Sequence, residues 1–69
     1  MYGYANEKTY KVAIALSNDE ALYLIAKRYD AWDQCRAQLA RQGISALGGV
    51  QLDDPDLDTA DLEELLSEF

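Results

Sequence analysis

The spacing of hydrophobic positions changes along the chain, and each change suggests an element. In TYKVAIALS, residues 9–17, Tyr10, Val12, Ile14 and Leu16 alternate with Lys11, Ala13 and Ala15, a two-residue period that suits a strand. Ala13 and Ala15 favour helix, Thr9 can cap one, and a strand without a partner leaves its backbone edge unsatisfied. A short helix is therefore expected. SNDE, residues 17–20, then offers the cap-type residues Ser17, Asn18 and Asp19 and a first-turn charge at Glu20, which reads as a helix restart. In the run that follows, Leu22, Ile25, Tyr29, Trp32 and Leu39 recur along one stripe at helical spacing, with Cys35 and Arg36 beside it. The pattern leaves open whether this is one helix or two, with Asp30 as the candidate cap of a second. Gly43 stops the run in the left-handed conformation, where Ile44 can fold back onto Leu39 or Ala40.

SALGGVQLDDP, residues 45–55, is the connector. Gly48 and Gly49 give a turn, Val50 and Leu52 alternate with polar neighbours as in an extended segment, and Pro55 blocks a helix before Asp56. A last helix starts near Asp58 or Thr59. Leu62, Leu65, Leu66 and Phe69 form its apolar face, Asp61, Glu64 and Glu68 lie opposite, and Glu63 flanks them. Tyr2 and Tyr4 are expected to cover core edges. The expected fold is a single all-α domain over residues 1–69, a bundle of three to four helices with a short extended connector before the C-terminal helix.

Charge changes the picture. Residues 1–43 nearly balance Lys8, Lys11, Lys27, Arg28, Arg36 and Arg41 against Glu7, Asp19, Glu20, Asp30 and Asp33. Residues 50–69 carry Asp53, Asp54, Asp56, Asp58, Asp61, Glu63, Glu64 and Glu68 and no basic group, and the net charge of the chain is −7. This asymmetry argues against direct contact with nucleic acid, whose phosphates need Lys and Arg, and favours a basic partner or simple solubility. The N-terminal MYGYANEKTYK has no apolar signal core, no run approaches membrane-spanning length, and the lone thiol suits a reducing compartment. A cytoplasmic location without membrane attachment is expected.

The acidic run also invites a metal reading. Asp54, Asp56 and Asp58 fit positions 1, 3 and 5 of a calcium loop, but Thr59 and Leu65 stand where the loop needs glycine and a bidentate glutamate. A register starting at Asp53 puts Pro55 at position 3. Turn and cap chemistry explains the aspartates better, and no metal or other cofactor is expected. Catalysis is not expected either. The chain has no histidine to serve as a base, Cys35 lies in a helical stretch with no motif around it, and the Gly48–Gly49 pair lacks the pattern of a phosphate loop.

One resemblance reaches further than composition. TYKVAIALSNDEALY, residues 9–23, is similar to a segment close to T-W-N-V-A-L-W-I-x-N-D-E-G-L-Y in short proteins of phages and mobile elements. Thr9, Val12, Ala13, Asn18, Asp19, Glu20, Leu22 and Tyr23 match. Ala15 stands in place of a tryptophan and Ala21 of a glycine. GGVQLDDPDLDTADLEELL, residues 48–66, resembles their G-V-x-W-x-D-P-x-[LI]-D stretch through Gly49, Val50, Asp54, Pro55, Leu57 and Asp58, with Leu52 in place of the aromatic. The resemblance implies a small helical fold and a phage or mobile-element context; it implies no particular activity.

Together these observations lead to an expected function. The chain would inhibit a host defence complex of the anti-CRISPR or anti-restriction kind, in a bacterial cytoplasm, by presenting Asp53, Asp54, Asp56, Asp58, Asp61, Glu64 and Glu68 to a channel built for nucleic acid. Two alternatives remain. One is a helical interaction module or homodimer that binds through Tyr2, Tyr4, Trp32 and Phe69. The other is an antitoxin-like partner of a basic protein.

Overall fold

Four helices and one minimal hairpin make up the computed structural model, which describes residues 3–69. The first helix, α1 (Glu7–Asn18), begins at Asn6, whose side-chain oxygen accepts from the Thr9 N–H at 2.8 Å. Thr9 is thus not the cap expected from the sequence but a helical residue that is fully buried. Its alternating pattern resolves as a helix that buries Thr9, Val12, Ala13 and Leu16.

Asp19 ends α1 and caps α2 (Glu20–Ala26) by accepting from the Leu22 N–H. The long apolar run is two helices. After Ala26 the chain tightens, with Arg28 and Tyr29 donating to the carbonyls of Ile25 and Ala26, and α3 (Trp32–Arg41) starts afresh. Asp30 does not cap it. Ala31 holds the cap position and makes no side-chain bond. Gly43 ends α3 at φ +83°, while Ile44 N–H reaches Leu39 O at 2.9 Å and Gly43 N–H reaches Ala40 O at 3.0 Å, the paired bonds of a Schellman ending.

The expected all-α class needs one correction. The connector folds into an antiparallel hairpin, β1 (Ala46–Leu47) and β2 (Val50–Gln51), with Leu47 opposite Val50. Gly48 and Gly49 both have positive φ (+60° and +81°), as a two-residue turn matched to strand twist requires. The molecule is therefore mostly helical with a small sheet. The hairpin lies on α1 so closely that a Cβ at Gly48 would sit 3.2 Å from Lys11 O. The last helix, α4 (Thr59–Glu68), is capped by Asp58, which accepts from Asp61 N–H at 2.9 Å.

The core joins all of these elements. Val12 and Leu16 of α1, Cys35 and Leu39 of α3 and Leu62 of α4 are wholly buried, and Leu47, Val50 and Leu52 close one end. Leu65 and Phe69 pack partly against it, and the Phe69 ring meets Tyr23 edge-on at 4.9 Å. A radius of gyration of 10.5 Å agrees with the ~11 Å expected for a folded chain of this length. Among the described residues, no helix is long and apolar enough to cross a membrane.

Candidate functional site

The acidic segment wraps the start of α1, and that contact divides its carboxylates into two groups. Lys8 is the hinge of the first group. Its ammonium bridges the Asp54 and Asp56 carboxylates at 3.0 Å each. Asp54 also accepts from the Asp56 N–H at 2.8 Å, closing a local turn around Pro55. The Asp56 N–H and then Lys8 hold the Asp54 carboxyl below its ordinary pKa; in return Asp54 and Asp56 raise the Lys8 ammonium. Asn6 donates to the Asp56 carbonyl at 2.6 Å. The Asp58 N–H donates to the buried Thr9 hydroxyl at 2.9 Å, and Ala5 N–H donates to Asp61 Oδ2 at 2.7 Å.

Four of the seven carboxylates expected to form a contact surface therefore have internal partners. Asp54 and Asp56 hold Lys8, Asp58 caps α4, and Asp61 anchors the chain before α1. The other three, Asp53, Glu64 and Glu68, are exposed and make no side-chain hydrogen bond or ion pair among the described residues. Glu63 has a role that its sequence position did not reveal. Its Oε2 accepts from Trp32 N–H at 3.0 Å, so a residue of α4 supplies the cap that α3 lacks. A carboxylate there also suits the positive end of the helix dipole.

Glu64 and Glu68 share a side of α4 with Asp61, and Tyr4 lies against them. Together with Gly3 and Leu65 these residues line a notch of about 180 Å³. Burial, followed by the charges of Glu68, Asp61 and Glu64, pushes the Tyr4 hydroxyl above its ordinary pKa. The three carboxylates thus line one notch, and no ion pair to a lysine or arginine offsets them among the described residues. Asp54, Asp56 and Asp58 do not gather around a common point, and no group of three or more metal-type side chains does so among the described residues.

Of the aromatic anchors of the alternative reading, Trp32 is withdrawn into the core. Trp32 is only 3 % exposed, Tyr4 and Phe69 are half-buried, and Tyr2 lies outside the described residues. Cys35 is fully buried, and burial alone raises its thiol to about 11, so it is protonated at neutral pH. A surface cleft of about 370 Å³ runs between α3 and the segment Gln51, Leu52 and Asp53.

No family model matches the sequence, and no curated protein or solved structure matches it. The residues that carry its resemblance to the phage and mobile-element segments have structural places here. Val12 and Ala13 are core, Asp19 and Asp58 are caps, and Asp54 holds Lys8. The two resembling blocks meet where Asp58 N–H donates to Thr9.

Proposed function

We propose that this chain is an acidic binding protein that inhibits a nucleic-acid-handling defence complex of a bacterial host, of the anti-CRISPR or anti-restriction kind. It acts as a stand-in for nucleic acid rather than as a catalyst. The carrying observation is the side of α4 where Asp61, Glu64 and Glu68 line one notch and form no ion pair with a lysine or arginine among the described residues. Positions 61, 64 and 68 follow one another along the helix at roughly 4.5–6 Å of rise, a regular row of negative charge on the few-ångström scale of the phosphate repeat. A basic channel that holds a nucleic-acid strand offers complementary charge at this scale, and opposite fields speed association. The phage or mobile-element resemblance supports the same reading.

Asp53, exposed at the edge of the cleft beside α3, is a separate carboxylate, whereas Asp54, Asp56 and Asp58 hold internal bonds. The test is capture of partners from bacterial lysate by the tagged protein at low salt, followed by salt-graded elution and mass spectrometry. A basic nucleic-acid-binding complex that elutes at moderate salt and is not retained by a Glu64→Lys/Glu68→Lys variant supports the proposal. A partner held equally well by that variant removes it.

A second reading rests on the exposed apolar residues. Ile14 and Leu24 are 39 % and 43 % exposed, and Ile14 borders a groove of about 320 Å³ with Tyr10, Ala15 and Gly48. A partner bound there would be indifferent to salt.

A further inference from the structure

The cleft between α3 and the end of the hairpin differs in character from the α4 notch. Leu52 lies buried at its base, and Ala37 and Ala40 present small side chains along the α3 wall. Asp33 and Asp53 stand at its edges, both exposed. The cleft's one cation, Arg36, is paired with Asp33 at 3.3 Å. The lining therefore combines an apolar interior with a rim whose unpaired charge is the Asp53 carboxylate.

We infer that this cleft receives an arginine side chain of the basic partner. The inference rests on the proposed function for the existence of that partner and adds where and how one of its residues docks. An arginine has the matching construction: an aliphatic stem that can cover Ala37, Ala40 and Leu52, and a planar guanidinium that can pair with both oxygens of Asp53. The volume, about 370 Å³, lies at the lower end of the range for sites that enclose a small ligand. An anion fits poorly, because Arg36 is already engaged by Asp33 and the remaining charge of the lining is the Asp53 carboxylate. A purely apolar side chain would bury Asp53 without a partner, which is costly. Among the described residues the Asp53 side chain has no hydrogen bond or ion pair, so its charge is available to a visitor at no expense to the fold.

The probe is a short blocked peptide, acetyl-Gly-Arg-Gly-amide, titrated into the ¹⁵N-labelled full chain at low salt. Its control carries citrulline, which keeps the shape of arginine and removes the charge. The expected result is saturable shifts at Asp33, Ala37, Ala40 and Asp53, weakened about tenfold with citrulline. Ala37→Trp, which fills the cleft from an exposed helical position, and Asp53→Asn, which keeps the shape, should each cause a comparable loss. Glu64→Lys/Glu68→Lys should leave these shifts in place. Shifts confined to α4 and removed by the α4 variant would overturn the cleft assignment while leaving the proposed function standing. Equal binding of the citrulline peptide, or no shift at the cleft residues, would also overturn it. The lysate capture judges the proposed function separately.

Discussion

Replacing Thr9 by valine tests how the acidic segment is held to α1. Thr9 is fully buried, and its hydroxyl accepts from the Asp58 N–H at 2.9 Å across 49 residues of sequence. Valine keeps the volume and the branched Cβ, and its helix propensity is close to that of threonine. The Thr9 N–H still reaches the Asn6 cap, so α1 should start normally. What is lost is the acceptor for a partly buried donor. An unsatisfied buried group costs about 1–3 kcal/mol, and partial access of water to Asp58 puts this case at about 1–2 kcal/mol. For a chain of this length, with an unfolding entropy of about 0.14 kcal/mol/K, the melting temperature should fall by about 7–14 °C. Circular dichroism melts at 222 nm would read that shift, and amide exchange at Asp58 would locate it. Thr9→Ser is the control. It retains the oxygen and should leave Asp58 exchange protected, even though the lost methyl costs stability of its own. A Thr9→Val protein that melts with the wild type and keeps Asp58 protected would refute the reasoning.

Other features give separate tests. Lys8→Ala should raise the Asp54 pKa toward the ordinary carboxylate range but not all the way, since the Asp56 N–H bond remains; a carbon-detected NMR titration would show it. Because the folded pKa of Asp54 is depressed, its contribution to stability is present above the unfolded value of about 4 and is lost as pH falls through the folded value, and Lys8→Ala should reduce that acid sensitivity. Glu63→Ala removes the carboxylate that caps α3 and should cost about 0.5–2 kcal/mol in chemical denaturation, with Glu63→Gln recovering part of it through its amide oxygen. Cys35, with its thiol raised to about 11, should react with an aromatic disulfide reagent at pH 8 only as fast as the protein unfolds; rapid labelling of the native state would contradict its burial.

Local chemistry was the readable part of this sequence. Asp19 and Asp58 announced helix starts, and Gly43 a helix stop, because each acts on backbone within a few residues. The turn at Gly48–Gly49 and the extended Val50 were readable, but the strand pairing was not, because each strand is two residues long, too short for alternation to register. Asn6 took the cap role assigned to Thr9, since the Thr9 hydroxyl answers to Asp58, far away in sequence. The same distance effect altered the acidic segment. A helical projection places Asp61, Glu64 and Glu68 together, as found around the Tyr4 notch. It cannot show that Lys8, Asn6 and Ala5 come from the other end of the chain to occupy Asp54, Asp56 and Asp61. Nor can it show that Glu63 turns inward to serve Trp32. The candidate surface is consequently narrower than the run of carboxylates suggested, and among the described residues Asp53, Glu64 and Glu68 are the positions of that run where charge can be changed without removing a side-chain bond.

That distinction makes one measurement decisive for the charge-driven account. Binding of the captured partner complex should be measured for the wild type and for Glu64→Lys/Glu68→Lys across a salt series, with circular dichroism recorded on both proteins. The account predicts that wild-type affinity falls steeply as salt rises, and that the variant, with unchanged helical signal, fails to bind even at low salt. A variant that folds normally and binds as the wild type does, or a wild-type affinity that does not respond to salt, would contradict it.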